Sequence, residues 1–196
     1  MLRIGITGGI GSGKTLICTI FHKLGIPVFN ADDEAKALLD IAAVKDEITR
    51  ICGNNILTSE GIIDHKKLAK VIFNNQKLLN EVNSVIHPLV KKKFVNWAVI
   101  NSNSPFVIEE AALIFESFEQ QNLDYTILVY APVEVRIKRV MQRDSSTREN
   151  ILDRIKNQMP EEDKIKLADF VIFNADKQLV MPQVLKLYNH FHEIEQ

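Results

Sequence analysis

Gly8-Gly9-Ile10-Gly11-Ser12-Gly13-Lys14-Thr15 is the stretch that decides how this chain is read. It fits G-x-x-x-x-G-K-[ST], the phosphate-binding P-loop. Its surroundings fit too. Residues 2–7 form a short apolar run of the kind that makes a buried strand. Residues 15–24 place Ile17, Ile20, Phe21 and Leu24 at i, i+3, i+4 and i+7, one face of a helix. The glycines carry no Cβ, so the backbone can turn tightly and visit positive φ. Successive N–H groups then converge on an anion. The start of the following helix adds partial positive charge. In such a loop the amides from Gly9 to Thr15 hold the phosphate chain of a nucleotide. Lys14 reaches the β- and γ-phosphates, and the Thr15 hydroxyl ligates Mg²⁺.

Further apolar runs at residues 27–30, 105–109, 125–130 and 170–173 bring the expected strands to five, with longer helical stretches between them. This alternation predicts an α/β fold, a parallel sheet with helices on both faces. Ligands in such folds sit beyond the carboxyl ends of the strands. Chemistry is therefore expected at 8–15, 31–34, 110–116, 131–133 and 174–176. The stretch from about residue 34 to 101 is almost strandless and too long for a simple crossover, so it reads as a helical insertion. Residues 53–61 form a turn region within it. The expected layout of the 196-residue chain is one unit with insertions. Its nucleotide-binding core is 1–33, 102–138 and 158–196, its helical substrate region 34–101, and its lid 139–157. A last helix is expected over about 177–192.

Composition narrows the partners. A net charge of −1 gives no global attraction to nucleic acid. No apolar run approaches the ~18 residues of a membrane span. The N-terminus enters the first strand directly, leaving no room for a signal peptide. Cys18 and Cys52 have neither metal-like nor CxxC spacing, which fits a reducing cytosol. Self-association is left open. A guanine-nucleotide switch would carry DxxG and [NT]KxD, and neither is present. An ATPase motor would end a strand in paired acids, as Glu109-Glu110 does here, but in a larger module. The size, the insertion and the arginine-rich segment suit a small-molecule kinase better.

Asp32 follows the second strand and would face the crevice beside the loop. There a carboxylate can accept a hydroxyl proton or hold metal-bound water. It can equally cap a helix, with Asp33 and Glu34 complementing the helix dipole. Residues 136–156 hold Arg136, Lys138, Arg139, Arg143, Arg148, Arg154 and Lys156 against Glu134, Asp144, Glu149 and Asp153. They read either as a solvated helix with local ion pairs or as cations that close over a phosphoryl donor. Asp144-Ser145-Ser146-Thr147 is a polar break where a lid could bend.

The loop, Phe29-Asn30-Ala31-Asp32, Ile86-His87-Pro88-Leu89, Leu113-Ile114-Phe115-Glu116, Gln142-Arg143-Asp144 with Thr147-Arg148-Glu149, and 168–172 with Asn174 occur in an order and spacing that resemble the dephospho-coenzyme A kinase family. The resemblance runs nearly end to end. It implies a P-loop kinase that transfers the γ-phosphoryl of ATP to the ribose 3′-hydroxyl of 3′-dephospho-coenzyme A. In that frame Asp32 is the candidate base, and His87, which alone reads as a structural histidine before a helix-breaking proline, contacts the substrate. Arg139 and Arg143 face phosphate and adenine from the lid. Asn174 lies near the donor adenine. Leu113 and Phe115 line the acceptor pocket, with Phe115 either stacking on a base or anchoring the loop. Asn30 stands where many members have Asp, and Ala112 where many have Pro. Another small-molecule kinase, or a nucleotide-dependent switch or assembly ATPase, is the alternative.

Overall fold

The computed structural model describes residues 1–73, 75–117, 119–144, 146–175 and 178–195. Asp176, in the segment after the fifth strand, Lys177, where the last helix was expected to start, and Ser145 of the polar break lie outside the described residues.

β1 (Leu2–Thr7) is buried from Ile4 onward, as a strand covered on both faces must be. With β2 (Val28–Asn30), β3 (Phe106–Glu110), β4 (Tyr125–Tyr130) and β5 (Phe170–Phe173) it forms one parallel sheet of order β2-β3-β1-β4-β5. β2 and β3 begin one residue later than the runs suggested, for a physical reason. Pro27 and Pro105 lack an N–H and serve the sheet only as acceptors, from Ile108 N–H at 2.9 Å and Leu2 N–H at 3.0 Å. β3 continues to Glu110, which pairs in register with Ile6 on one side and Asn30 on the other. β1 is central, with β3 and β4 on either side, so strand order reverses around it and a crevice opens at its carboxyl end.

One face of the sheet packs on α1 (Lys14–Lys23) and α9 (Val180–Ile194). Ile4, Ile6, Ile108, Ile127 and Val129 meet Ile17, Phe21, Val184 and Phe191 there. Phe106 is the hub, with ring centroids 6.1 Å from Phe21 and 5.4 Å from Phe191. Phe106→Ala should therefore cost about 3–5 kcal/mol of folding stability by urea titration, since a void among packed rings collapses poorly. A cost below about 1 kcal/mol would remove Phe106 from that role. α6 (Val133–Asp144) and α7 (Arg148–Lys156) share a small core of Ile137, Val140 and Ile151, and α8 (Glu161–Leu167) leads into β5. The Thr147 hydroxyl caps α7 by accepting the Asn150 N–H at 3.3 Å.

The chain divides into two compact units, Met1–Asn30 with Ala98–Gln196, and Ala31–Trp97. The expected lid, 139–157, belongs to the unit that contains the sheet. The second unit comprises α2 (Ala31–Leu38), α3 (Ala42–Cys52), α4 (His65–Phe73) and most of α5 (Gln76–Ile100). Asp64 caps α4 by accepting the N–H groups of Lys66 and Lys67, and Asn75 caps α5 in the same way. The turn region holds a short 3₁₀ turn, Asn54–Ile56, and a bridge between Leu57 and Ile63. Pro88 does not break its helix as the sequence suggested. α5 runs through it and gives up one bond to the Ser84 carbonyl, a loss set against burial of Val82, Ile86, Val90 and Phe94. Among the described residues, no helix is long and apolar enough to cross a membrane.

Candidate active site

The loop leaves β1 and enters α1 at Lys14. It is closed by the Ser12 N–H on the Gly9 carbonyl (3.0 Å) and the Leu16 N–H on the Gly13 carbonyl (3.1 Å). Lys14 Nζ donates to the Gly8 carbonyl at 2.8 Å, which holds the ammonium back over the loop it serves. Gly13 has φ 96°, and a Cβ there would overlap Asn174 Nδ2. Gly9 is a different case. Its φ is not positive, and what fills the place of a side chain there is the Arg136–Glu161 pair, which a Cβ would have to displace.

Asn174 is buried just past β5. Its N–H donates to the Tyr130 carbonyl and its Nδ2 to the Ser12 carbonyl, both at 2.8 Å. Its amide thus braces the loop backbone, a use that residue type and position did not foretell.

Thr15 Oγ1 donates to Glu110 Oε1 at 2.9 Å. Glu110 is buried at the end of β3, where the ladder to β1 points it at the start of α1. Cys18, one turn further along α1, donates its thiol to the same carboxylate. Burial and then the Glu110 charge push that thiol well above its ordinary pKa, so it stays protonated. A hydroxyl and a carboxylate side by side next to a phosphate loop are the oxygen donors a hard divalent cation takes. Among the described residues there is no cluster of three or more metal-ligating side chains. A cation here would therefore lean on substrate phosphates. Glu116 is otherwise engaged, its Oε1 accepting the Met159 N–H at 3.0 Å and lying 2.8 Å from the buried Lys164 ammonium.

Arg136, Arg139 and Arg143 are spaced i, i+3 and i+7 and share one stripe of α6. Their fates differ. Arg136 is buried and paired to Glu161, with Nη1 to Oε1 at 2.6 Å. Arg143 is exposed, its fork closed on Asp144 by bonds of 2.6 and 2.9 Å. That hydrogen bond, with the guanidinium charge, holds the Asp144 carboxyl below its ordinary pKa. Arg148 pairs with Glu134 and Lys156 with Asp153, both exposed, so for these two the local ion-pair reading holds. Leu113 is exposed, while Phe115 is 1% exposed and acts as the anchor of its loop; a ring so enclosed is not presented for stacking.

In the helical unit Asp32 sits in the first turn of α2, two residues after β2 ends. Asp33 pairs with Lys36 and Glu34 with Lys93, whereas Asp32 is exposed and has no ion pair among the described residues. His87 is half-buried on α5. Sequence reasoning overlooked Gln158 and Glu161, and saw Arg136 only as one cation among several. The shared register with Arg139 and Arg143 was the available signal.

A parallel sheet in this order, with a phosphate loop between its central strand and first helix, defines a P-loop kinase. The chain belongs to the dephospho-CoA kinase family, whose model matches residues 2–179. A dephospho-CoA kinase of Porphyromonas gingivalis is 39% identical over 189 residues, covering 95% of this chain and 93% of the relative. A crystal structure from Thermus thermophilus superposes with TM-score 0.86 at 32% identity over 96% of both chains. The dephospho-CoA kinase of Campylobacter jejuni gives 0.71 at 29% identity, covering 99% of this chain and 98% of that one.

Proposed function

We propose that this chain transfers the γ-phosphoryl group of ATP to the ribose 3′-hydroxyl of 3′-dephospho-coenzyme A. The observation that supports this most is a family match across residues 2–179 on a chain with a complete phosphate loop. Catalysis is then mainly positioning and charge neutralisation. The loop amides and Lys14 hold the donor phosphates. Mg²⁺ is the expected cation, held by the Thr15 hydroxyl and, through it or through water, by Glu110. Once bound, it neutralises charge on the phosphates and orients them. Asp32 accepts the hydroxyl proton on a carboxylate oxygen as general base. His87 and Leu113 contact the acceptor. Arg139 and Arg143 close over the transferring group. For Arg143 this means exchanging Asp144 for phosphate, a small loss because an exposed pair contributes little. A cytoplasmic setting supplies ATP and suits two free cysteines.

The test is a coupled assay with ATP, Mg²⁺ and 3′-dephospho-coenzyme A, with ³¹P NMR to locate the new phosphate. Turnover that places it on the 3′-oxygen is expected. Efficient turnover of a nucleoside, nucleotide or sugar instead would assign a different kinase. Glu110→Gln should raise the Mg²⁺ concentration for half-maximal rate about 10–100-fold, the usual loss when a carboxylate supporting a metal site is removed. An unchanged Mg²⁺ dependence would take Glu110 out of the cation site.

A further inference from the structure

We propose that the buried Arg136–Glu161 pair is a positioning device for the phosphate loop, holding its Gly9–Gly11 segment in the shape that receives ATP. The proposal rests on the reading that this loop binds nucleotide. Arg136 is 1% exposed and Glu161 8%, and they meet at 2.6 Å. Burying two charges is costly, and well-packed apolar side chains in their place are often as stable or more so. Folding stability alone is therefore a weak reason for the pair. Its location supplies a better one.

The guanidinium lies directly against the Gly9 backbone, so close that a Cβ on Gly9 would overlap both Arg136 Nη1 and Glu161 Oε1. The Arg136 main chain supports the next turn as well, since a Cβ on Gly11 would stand 2.6 Å from its carbonyl oxygen. Between these points the Ile10 N–H donates to Gln158 Oε1 at 3.1 Å. Gln158 lies in the short segment between α7 and α8, and Glu161 opens α8. Both are pinned to the loop after β3, the segment through the Met159 N–H and α8 through Lys164, each on Glu116. The tip of the phosphate loop is thus backed from α6 and gripped from the residues that follow the expected lid. A glycine-rich loop loses much conformational freedom on ordering. A rigid backing that orders it before ATP arrives would keep that loss out of the binding step. Arg136 and Glu161 act through the loop backbone and are positioning residues.

The experiment compares the parent with the apolar double variant Arg136→Met/Glu161→Leu and with Arg136→Lys. Melting temperature, KM for ATP, KM for 3′-dephospho-coenzyme A and kcat are measured for each. The double variant should fold with a melting temperature near the parent's. Its KM for ATP should rise about tenfold, the scale of one or two misdirected amide bonds to phosphate, with KM for the acceptor unchanged. Arg136→Lys retains the charge but not the planar fork, and should raise KM for ATP by a smaller factor. A folded double variant with the parent's KM for ATP would overturn the proposal, as would equal rises in both KM values. If the double variant does not fold, Arg136→Lys decides alone: a raised KM for ATP supports the proposal, and an unchanged one overturns it. Failure of the parent itself to bind Mg·ATP in calorimetry would instead reject the nucleotide-binding reading.

Discussion

Asp32→Asn should lower kcat by about 10²–10⁴-fold, the range over which a positioned general base contributes, while KM for ATP stays close to the parent's. The substitution keeps the size and shape of the side chain and removes its ability to take a proton. Asp32 is exposed in the first turn of α2 and, unlike Asp33 and Glu34, has no ion-pair partner among the described residues. Its loss should therefore disturb the fold little. The alternative to catalysis was a helix cap, but Asp32 lies inside the first turn of α2, where its effect on the helix dipole is worth only about 0.3–1 kcal/mol at an exposed site. The two roles separate in one comparison. A dipole residue would lower the melting temperature slightly and leave kcat alone. A base would leave melting alone and lower kcat. Steady-state rates at saturating ATP and 3′-dephospho-coenzyme A make the measurement, and equal kcat in mutant and parent would remove Asp32 from the mechanism.

Lys14→Ala should cost about 2–4 kcal/mol of transition-state stabilisation, the scale of one lost donor aimed at developing charge. That is a fall of about 30- to 1000-fold in kcat/KM. In the structure Nζ rests on the Gly8 carbonyl at 2.8 Å, so the ammonium is already in place at the loop before any phosphate binds. To engage phosphate the ammonium exchanges that carbonyl for a charged oxygen, a stronger partner. Part of the loss should appear as weaker ATP binding, because the ammonium meets ground-state phosphates too, and part in kcat. A variant with the parent's kcat/KM would contradict the assignment of this loop as the donor-phosphate site.

The strand positions were legible because each depends on a short local pattern. The runs at 2–7, 125–130 and 170–173 coincide with β1, β4 and β5, while β2 begins one residue late after Pro27 and β3 is shifted by one residue at both ends, from Phe106 to Glu110. The loop between β1 and α1 was legible for the same reason, since eight consecutive residues specify it. His87-Pro88 was less so. A proline normally ends a helix, and only the apolar residues spaced along α5, buried on the folded unit, explain why this helix continues. Phe115 shows the limit for an aromatic residue, because sequence leaves both stacking and anchoring open. Burial decides between them, and burial is a property of the fold.

By itself, then, the chain's local pattern determined a phosphate loop on a parallel α/β sheet, the places of its five strands to within a residue and its helical insertion. The tertiary structure decided which polar groups meet. Ser12 and Asn174 are 162 positions apart, Thr15 and Glu110 are 95 apart, and Arg136 and Glu161 are 25 apart, yet each pair is in hydrogen-bond contact. The reason is physical. Strand and turn preferences act over a few neighbouring residues, whereas the cost of burying a charge or an amide is relieved by whichever partner the fold brings alongside.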